Sequence, residues 1–201
     1  MRLLITVVMG LLCTGVFAQD EAQPAAEAPA ESELPSYPRV LLETTEGNIM
    51  LELERRRAPL TVQHFVDLVR AGHYDGTIFH RVIRGFMIQG GGYDRDLNGM
   101  EEEGSVFNES GNGLPNLRGT IAMARLNDPH TANAQFFINL VDNRRLDPQS
   151  TRWGYAVFGS VIEGMDVVDA IALLPTAPAG QFESDVPVVP VIIEKATYVE
   201  P

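Results

Sequence analysis

The stretch that most constrains the fold is residues 79–91, which read Phe-His-Arg-Val-Ile-Arg-Gly-Phe-Met-Ile-Gln-Gly-Gly. It contains parts of two short β-type runs, residues 77–83 and 86–89. An Arg-Gly pair, typical of a tight turn, separates the two runs. We therefore predict a β-hairpin that brings the cation of Arg81 close to the amide of Gln89. An arginine beside aromatic side chains is most often a snorkelling surface residue, so the hairpin alone does not define a site.

The rest of the chain has the patterns of further strands and of two helices. Further β-type runs occupy residues 39–44, 48–53, 118–125, 135–141, 155–161 and 189–199. Pro59 opens a helix that closes near Gly72, and residues 164–173 form a second helix with apolar residues on one face. Many strands with two isolated helices predict a mainly β fold, a closed antiparallel barrel capped at its ends.

Composition and charge exclude several classes of function. The chain has 201 residues, enough for one domain with a well-buried core. Its net charge is −12, Lys195 is the only lysine and the arginines are mostly scattered, which excludes a nucleic-acid partner, because phosphates require clustered cations. Cys13 is the only cysteine, so the body of the protein has no disulfide, zinc knuckle or thiol nucleophile.

The ordered string of residues 79–91 resembles the signature of the cyclophilin-type peptidyl-prolyl cis-trans isomerases, F-H-R-[VI]-I-x-G-F-M-x-Q-G-G. Residues 112–125 resemble the family's N-G-L-x-N-x-R-G-T-[IL]-[AS]-M-A run followed by the arginine of bacterial members. Residues 134–138 resemble its [SA]-Q-F-F-I block, and residues 155–159 the bacterial form of its H-V-V-F-G strand. The resemblance covers nearly all of residues 40–200 and implies an eight-stranded barrel with two helices, in agreement with the pattern of elements.

The resemblance also implies an active site, in which Arg81 is the catalytic cation. It places Phe86, Met87, Phe137, Leu146 and Tyr155 around a proline pocket, Gln89, Ala124 and Gln135 against the substrate backbone, and Arg125 and His80 at the edge. Phe136, Ile138 and Met123 we assign to the core instead.

Two positions depart from the family pattern. Arg145 stands where many eukaryotic members have a tryptophan, and Tyr155 stands where they have a histidine. Neither change affects the catalytic arginine, so we expect retained activity with an altered ligand preference. Binding of cyclosporin, the macrocyclic inhibitor of the family, is expected to be weak.

These residue types suit the isomerisation of X–Pro bonds. Rotation about the bond must cross a barrier of about 18–20 kcal/mol that amide resonance creates. No bond is made or broken, so the reaction requires no nucleophile, metal or cofactor, and we expect none. Midway through the rotation the prolyl nitrogen gains a lone pair. A hydrogen bond donated to that nitrogen is therefore stronger in the transition state than in either ground state. Arg81 can be the donor of that bond.

Residues 1–18 have the pattern of a secretory signal peptide. Arg2 precedes an apolar run at residues 3–17, and Val16-Phe17-Ala18 offers a small-residue cleavage site. The run is shorter than the ~20 residues that span a membrane, although an uncleaved anchor is the alternative. A lipoprotein signal requires a small residue directly before its cysteine, but the residue before Cys13 is a leucine. We therefore predict no lipidation.

Residues 19–38 are rich in Ala, Glu and Pro and carry five acidic side chains. Such a segment buries too little apolar surface to offset the entropy of ordering, and we predict a disordered linker before the isomerase domain at residues 39–201. Without residues 1–38 the net charge of the domain is −8, so the folded part is acidic in its own right.

Two shorter motifs have alternative interpretations. Residues 94–99, Asp-Arg-Asp-Leu-Asn-Gly, begin like a calcium loop, but Ser105 stands where the glutamate of such a loop belongs. Residues 101–103, all glutamate, could supply ligands in another geometry, and a solvated acidic turn is the preferred interpretation. Asn108-Glu109-Ser110 has only the formal pattern of a glycosylation acceptor.

Taken together, these patterns predict an exported, periplasmic and monomeric cyclophilin. Its expected partners are proline-containing, unfolded or partly folded exported polypeptides, with no nucleic acid and no membrane contact after signal cleavage. The alternative is a non-catalytic chaperone or adaptor that holds proline-containing segments in the same groove. The joint presence of Arg81, Phe86, Gln89 and Phe137 favours the enzyme.

The signal-peptide prediction has a direct test. If Ala18 precedes the cleavage site, the mature chain starts at Gln19, and the intact mass of protein recovered from the exported fraction corresponds to residues 19–201. A recovered species that retains residues 3–17 would contradict the prediction and support the anchor.

Overall fold

The structure is a computed structural model that describes residues 34–100 and 104–200. The predicted signal peptide, most of the predicted linker and the glutamates at 101–103 lie outside the described residues. The strands are β1 (Arg39–Thr44), β2 (Gly47–Leu53), β3 (Arg81–Ile83), β4 (Met87–Gly90), β5 (Thr120–Met123), β6 (Phe136–Asn139), β7 (Val157–Glu163), β8 (Thr176–Ala179), β9 (Phe182–Pro187) and β10 (Ile193–Val199). The helices are α1 (Pro59–Arg70) and α2 (Met165–Ala172), and a 3-10 turn covers Arg144–Leu146.

Eight strands form one antiparallel sheet in the order β10-β1-β2-β7-β5-β6-β4-β3. Burial alternates along β1 and β2 with a period of two, because successive strand residues point to opposite faces of the sheet. Helix α1 packs its apolar stripe against the buried face. Its Phe65 ring lies 5.0 Å from those of Tyr74 and Phe158 and 5.8 Å from that of Phe136. The mainly β prediction and both predicted helices are confirmed.

The sheet curls but does not close, so the predicted closed barrel was an overstatement. Strands β3 and β10 are the two edges of the sheet and do not pair with each other. Strand β3 has only three residues, and the bonds across the gap join residues 76–79, which precede it, to residues 191–193 around the start of β10. Ile78 forms an isolated bridge with Ile192, and the Phe79 N–H donates to the Val191 carbonyl at 3.0 Å.

A distant carboxylate caps the N-terminus of α1. Ala58, at the N-cap position, offers no side-chain hydrogen bond. Glu109 instead accepts the N–H groups of Leu60 and Thr61 at 3.2 and 2.8 Å. A negative charge at this end of a helix is stabilising, because the first N–H groups lack partners within the helix. Glu109 thereby ties the segment between β4 and β5 to α1.

The neighbouring Asn108 is a structural residue and not an accessible glycosylation acceptor. Its side chain is buried, and its amide donates to the carbonyls of Pro129 and Gly154, each at 3.1 Å. These bonds join three loops that are far apart in the sequence.

The hairpin of β8 and β9 was not predicted. It is a separate two-stranded sheet that packs against β3. Its Phe182 ring lies 5.0 Å from that of Tyr93 and 5.5 Å from that of His80. The hairpin therefore covers the start of the signature segment.

The folded part begins earlier than predicted, because Leu34 is buried in the main core. Its carbonyl accepts a hydrogen bond from Arg55 Nη1 at 2.7 Å. Leu34 and Pro38, assigned to the linker from their composition, are thus buried against the domain, whereas Ser36 and Tyr37 are exposed. Across residues 34–100 and 104–200, none of the helices is both long and apolar enough to cross a membrane.

Gly164, at the N-cap of α2, provides a test of the packing between α2 and β2. Its φ is 85°, and a Cβ there would overlap the Asn48 carbonyl oxygen, whereas Gly76 has a φ of 81° and no atom within 4 Å of such a Cβ. We expect Gly76→Ala to cost about 1–2 kcal/mol for the left-handed backbone. Gly164→Ala should cost a further ~1–3 kcal/mol for overpacking. Urea unfolding of both variants measures the difference, and equal losses would contradict the clash.

Candidate active site

The register of β4 places the polar residues of the site in one row. Gln89 pairs with Arg81 of β3 on one side and with Phe137 of β6 on the other, and Phe137 pairs with Ala122 of β5. Directly paired residues point to the same face of a sheet, so these four side chains share a face. The adjacent row, which lies in the main core, is Val82, Ile88, Ile138 and Ile121.

A second apolar cluster covers this outer face and is separate from the main core. Its buried members are Met87, Ala122, Phe137 and Val157, and its partly buried members are Ile83, Phe86, Leu114, Ala124, Leu146 and Tyr155. The rings of Phe137 and Tyr155 meet edge to face, with centroids 5.6 Å apart. By contrast, Phe136, Ile138 and Met123 lie in the main core, as we assigned them.

A cavity of about 220 Å³ opens within this second cluster. Nine predicted site residues line it: Arg81, Phe86, Met87, Gln89, Ala124, Arg125, Phe137, Leu146 and Tyr155. It is smaller than the ~300–1,000 Å³ of a pocket for a drug-sized ligand, so it suits a single ring or side chain. Residues from three strands and several connecting segments thus converge on one small apolar pocket with a cation in its wall.

Arg81 is linked to two glutamine amides. Its Nη1 lies 3.5 Å from Gln89 Oε1, a long hydrogen bond, and Gln89 Nε2 donates to Gln135 Oε1 at 3.0 Å. The bond to Gln135 keeps the Gln89 oxygen directed at the guanidinium. The long Arg81 bond leaves most of its donors for a ligand.

Gln135 lines an adjoining cavity of about 310 Å³ instead of the first one. Gln89, Ala124 and Arg125 line both cavities, so the two adjoin, and together we call them the groove. Leu126, Thr131 and Asn133 complete the second cavity, and the sequence did not identify them. They belong to an irregular loop whose only signal is the turn-forming Asp128-Pro129 pair.

Arg125 fixes the wall between the cavities. Its guanidinium donates to the carbonyls of Leu126, Trp153 and Gly154 at 2.8, 3.0 and 3.2 Å. It also lies over the Tyr155 ring, 4.7 Å from the centroid. Arg125 therefore joins the loop after β5 to the segment before β7 and holds Tyr155 against Phe137.

Buried asparagines position the opposite wall. Asn143 Nδ2 donates to the Phe86 carbonyl and to Asn139 Oδ1, each at 2.8 Å. Asn139 donates in turn to Asn116 Oδ1 at 3.3 Å, and Asp147 Oδ1 accepts the Asn116 N–H at 2.7 Å. The network fixes both ends of the turn that carries Leu146. The sequence offered no signal for it, because isolated asparagines are typical of surface loops.

The geometry does not bring His80 to the cavity. Its side chain is only 2% exposed, and its ring packs against those of Tyr93 and Phe182, beneath the β8–β9 hairpin. His80 lies just before β3, outside the regular strand, and the β8–β9 hairpin covers it there. Burial lowers the pKa of His80 to about 4, so the ring is neutral at physiological pH.

The acidic turn at residues 94–99 is held together by its own hydrogen bonds. Asp94 Oδ1 accepts the N–H groups of Asp96 and Asn98, and its Oδ2 accepts Asn98 Nδ2, all at 2.9 Å. The bonds from Asn98 and Asp96 hold the pKa of the Asp94 carboxyl below its usual range. In the described part of the chain, no three acidic, histidine or cysteine side chains gather as a metal site.

This arrangement defines a class of protein with a curled antiparallel sheet, two helices and a small apolar pocket beside a cation. The comparison with known proteins gives the family. Residues 39–198 match the family model described as Cyclophilin type peptidyl-prolyl cis-trans isomerase/CLD. The chain belongs to this family, and it is a peptidyl-prolyl cis-trans isomerase.

Several bacterial relatives are about half identical to this chain. Peptidyl-prolyl cis-trans isomerase cyp18 of Streptomyces antibioticus is 54% identical over 160 residues, which cover 78% of this chain and 96% of the relative. Peptidyl-prolyl cis-trans isomerase A of Dickeya dadantii is 48% identical, covering 80% and 84%. Peptidyl-prolyl cis-trans isomerase B of Escherichia coli is 48% identical, covering 80% and 99%.

Solved structures have the same fold at lower identity. A cyclophilin-type isomerase of Cryptosporidium parvum superimposes with a TM-score of 0.63 at 24% identity, covering 82% of this chain and 99% of that chain. A second structure, described as determined in the presence of the dipeptide Ala-Pro, has a TM-score of 0.62 at 25% identity, covering 81% and 99%.

The buried His80 predicts an acid-sensitive term in stability. Its pKa is about 4 in the folded state and 6.5 in the unfolded chain, so between these values the unfolded state binds more protons and stability falls as pH falls. From pH 7.5 to pH 5.0 the loss attributable to this group is on the order of 2 kcal/mol. Urea unfolding at both pH values should show a smaller loss for His80→Phe than for the wild type. An equal loss in both would contradict the buried neutral ring.

Proposed function

We propose that this isomerase accelerates X–Pro rotation in exported proteins as they fold, with Arg81 as its catalytic cation. The observation that carries the proposal is the 220 Å³ cavity, in which the Arg81 guanidinium and an apolar, aromatic wall face the same small volume. A proline ring is an apolar group of that size, and its amide nitrogen is the atom that needs a donor midway through rotation.

The geometry supports a division of roles among the lining residues. Phe137, Met87 and Phe86 hold the ring, and Gln89 and Ala124 border the path of the substrate backbone. The ring stays fixed while the carbonyl that precedes it turns. Arg81 then donates to the prolyl nitrogen as its lone pair develops, which stabilises the twisted state more than either planar amide.

A structural relative supports the choice of ligand. The Cryptosporidium parvum protein was studied with Ala-Pro, the smallest peptide that contains an X–Pro bond. We assign the same chemistry to the groove of this chain. Its macrocyclic competitor cyclosporin should bind weakly, because the Arg145 position offers a guanidinium in place of an indole.

The context of exported, periplasmic clients rests on the sequence. The apolar run at residues 3–17 and the small residue at its end favour export with cleavage, which would leave the isomerase free of the membrane. We propose that the mature protein acts as a monomer on unfolded or partly folded polypeptides. Such chains expose their X–Pro bonds, whose uncatalysed isomerisation takes tens to hundreds of seconds.

Removal of the guanidinium tests the catalytic role. Arg81→Ala should lower kcat/KM on a proline peptide at least tenfold, because one charge-assisted hydrogen bond is worth about 1.5–3 kcal/mol. The stability change should stay within ~0.5 kcal/mol, since the side chain is only partly buried and makes only one long hydrogen bond in the described structure. Arg81→Lys should restore activity only in part, because an ammonium lacks the planar fork of donors.

Arg84→Ala is the matched control, because Arg84 is exposed in the hairpin turn and lines neither cavity. It should retain wild-type activity. If Arg81→Ala retains full activity while Arg84→Ala loses it, the assignment is wrong. If the wild type binds a proline peptide but does not accelerate its isomerisation, the non-catalytic alternative is correct.

A further inference from the structure

Some arginines of this acidic protein are paired with carboxylates: Arg39 with Glu52 at 2.8 Å and Arg118 with Asp169 at 2.7 Å. At the groove, Arg81, Arg125 and Arg145 form no ion pair with any carboxylate in residues 34–100 and 104–200. In a chain of net charge −12, three uncompensated cations around one site make a locally positive surface.

Arg145 is the cation of this set best placed to meet a substrate side chain. It is exposed, and its guanidinium lies over the Phe86 ring, 4.7 Å from the centroid. Phe86 itself lines the proline cavity. The aromatic face attracts the guanidinium without using its N–H groups, which can still bind a carboxylate in a bidentate manner.

Asp147, the acidic residue nearest to Arg145 in the sequence, forms its contacts with other residues. Asp147, two residues further on, accepts Arg144 Nε at 2.6 Å and the Asn116 N–H at 2.7 Å. The two adjacent arginines of one 3-10 turn are therefore in opposite states, since Arg144 is compensated and Arg145 is not.

Arg125 adds a fixed charge to the same groove. Its donors are occupied by the neutral carbonyls of Leu126, Trp153 and Gly154, which orient the guanidinium without cancelling its charge. Because Arg125 lines both cavities, its field extends along the path of a bound segment.

We propose that the groove selects its substrates by charge and favours proline-containing segments with an Asp or Glu side chain next to the proline. Arg145 is the specificity-determining residue and binds the carboxylate, while Arg125 reinforces the attraction. The inference rests on the proposed function, because it assigns the ring to the cavity that Phe86 borders. The field also speeds encounter with acidic segments, since opposite charges steer association.

The size of the preference follows from the exposure of Arg145. An exposed ion pair is worth about 0.2–1 kcal/mol, so one such contact gives a preference of up to about fivefold. Salt screens exposed charges with a length of about 8 Å at 0.15 M, so the preference must shrink as ionic strength rises.

The test compares matched peptides that carry no other charge. Acetylated and amidated peptides have Glu or its neutral isostere Gln either directly before or directly after the proline. Exchange NMR measures the catalysed cis–trans rate at sub-saturating peptide without a coupling protease. We expect the wild type to turn over at least one Glu peptide about threefold faster than its Gln partner at low salt. In 0.5 M salt the two rates should be nearly equal.

The variants locate the effect. Arg145→Gln should lower the Glu/Gln rate ratio towards one, and Arg145→Glu should reverse it. Arg144→Gln changes the net charge by the same amount in the same turn and should keep the wild-type ratio. Equal loss of the ratio in both Gln variants would assign the preference to overall charge and overturn the proposal.

The two proposals fail in different ways. A wild-type ratio of one at both positions, with clear catalysis of the Gln peptides, overturns the charge preference alone. Absence of catalysis on every peptide overturns the proposed function instead.

Discussion

The site depends on the register of one strand, β4, between its neighbours β3 and β6. Gln89 pairs with Arg81 and with Phe137, while Ile88 pairs with Val82 and Ile138. A slip of one residue would move every side chain of β4 to the other face, so the core and the site would exchange residues. Burial of Ile88 and its neighbours in the main core therefore also fixes the position of the row that contains Arg81, Gln89 and Phe137. The hydrogen bonds that pair β4 with β3 and β6 therefore stabilise the fold and also position the residues of the site.

Loops provide the remaining walls of the groove, and polar contacts hold them where apolar packing is thin. Asn143 ties the Phe86 carbonyl to Asn139, and Arg125 bonds the Leu126 and Trp153 carbonyls. Asn143 is buried, so a loop conformation that breaks its hydrogen bonds leaves a buried polar group unsatisfied. The bonds of the Arg125 guanidinium lie nearer the surface and are charge-assisted. On the proposed mechanism, a pocket held in this way favours catalysis, because the cation needs no reorganisation when charge develops at the prolyl nitrogen.

The sequence predicted the parts of the fold that alternation and helix periodicity encode. Strand β1 was predicted to the residue and α1 nearly so, and the hairpin of β3 and β4 was correct in its pairing. Residues 77–80 were predicted as strand, but Thr77 and Ile78 form isolated bridges to two different segments. The β8–β9 hairpin escaped prediction because its sequence is polar and proline-containing, and only a few of its side chains are buried. The position of His80 depends on that hairpin, so local sequence could not place it beneath Phe182.

The energetics explain why so few residues carry the chemistry. Isomerisation needs no bond cleavage. On the proposed mechanism, one charge-assisted hydrogen bond from Arg81 provides about 1.5–3 kcal/mol, or one to two decades of rate. Any larger acceleration must come from the apolar wall, which holds the ring and strengthens the Arg81 contact by excluding water.

The aromatic residues of this wall also explain how an acidic protein keeps cations at its site. Phe86 and Tyr155 present ring faces to Arg145 and Arg125 at 4.7 Å, and an aromatic face attracts a guanidinium without cancelling its charge. Aromatic residues thus line the small pocket and also position the cations beside it. An acidic residue in the place of either ring would neutralise the charge of the arginine.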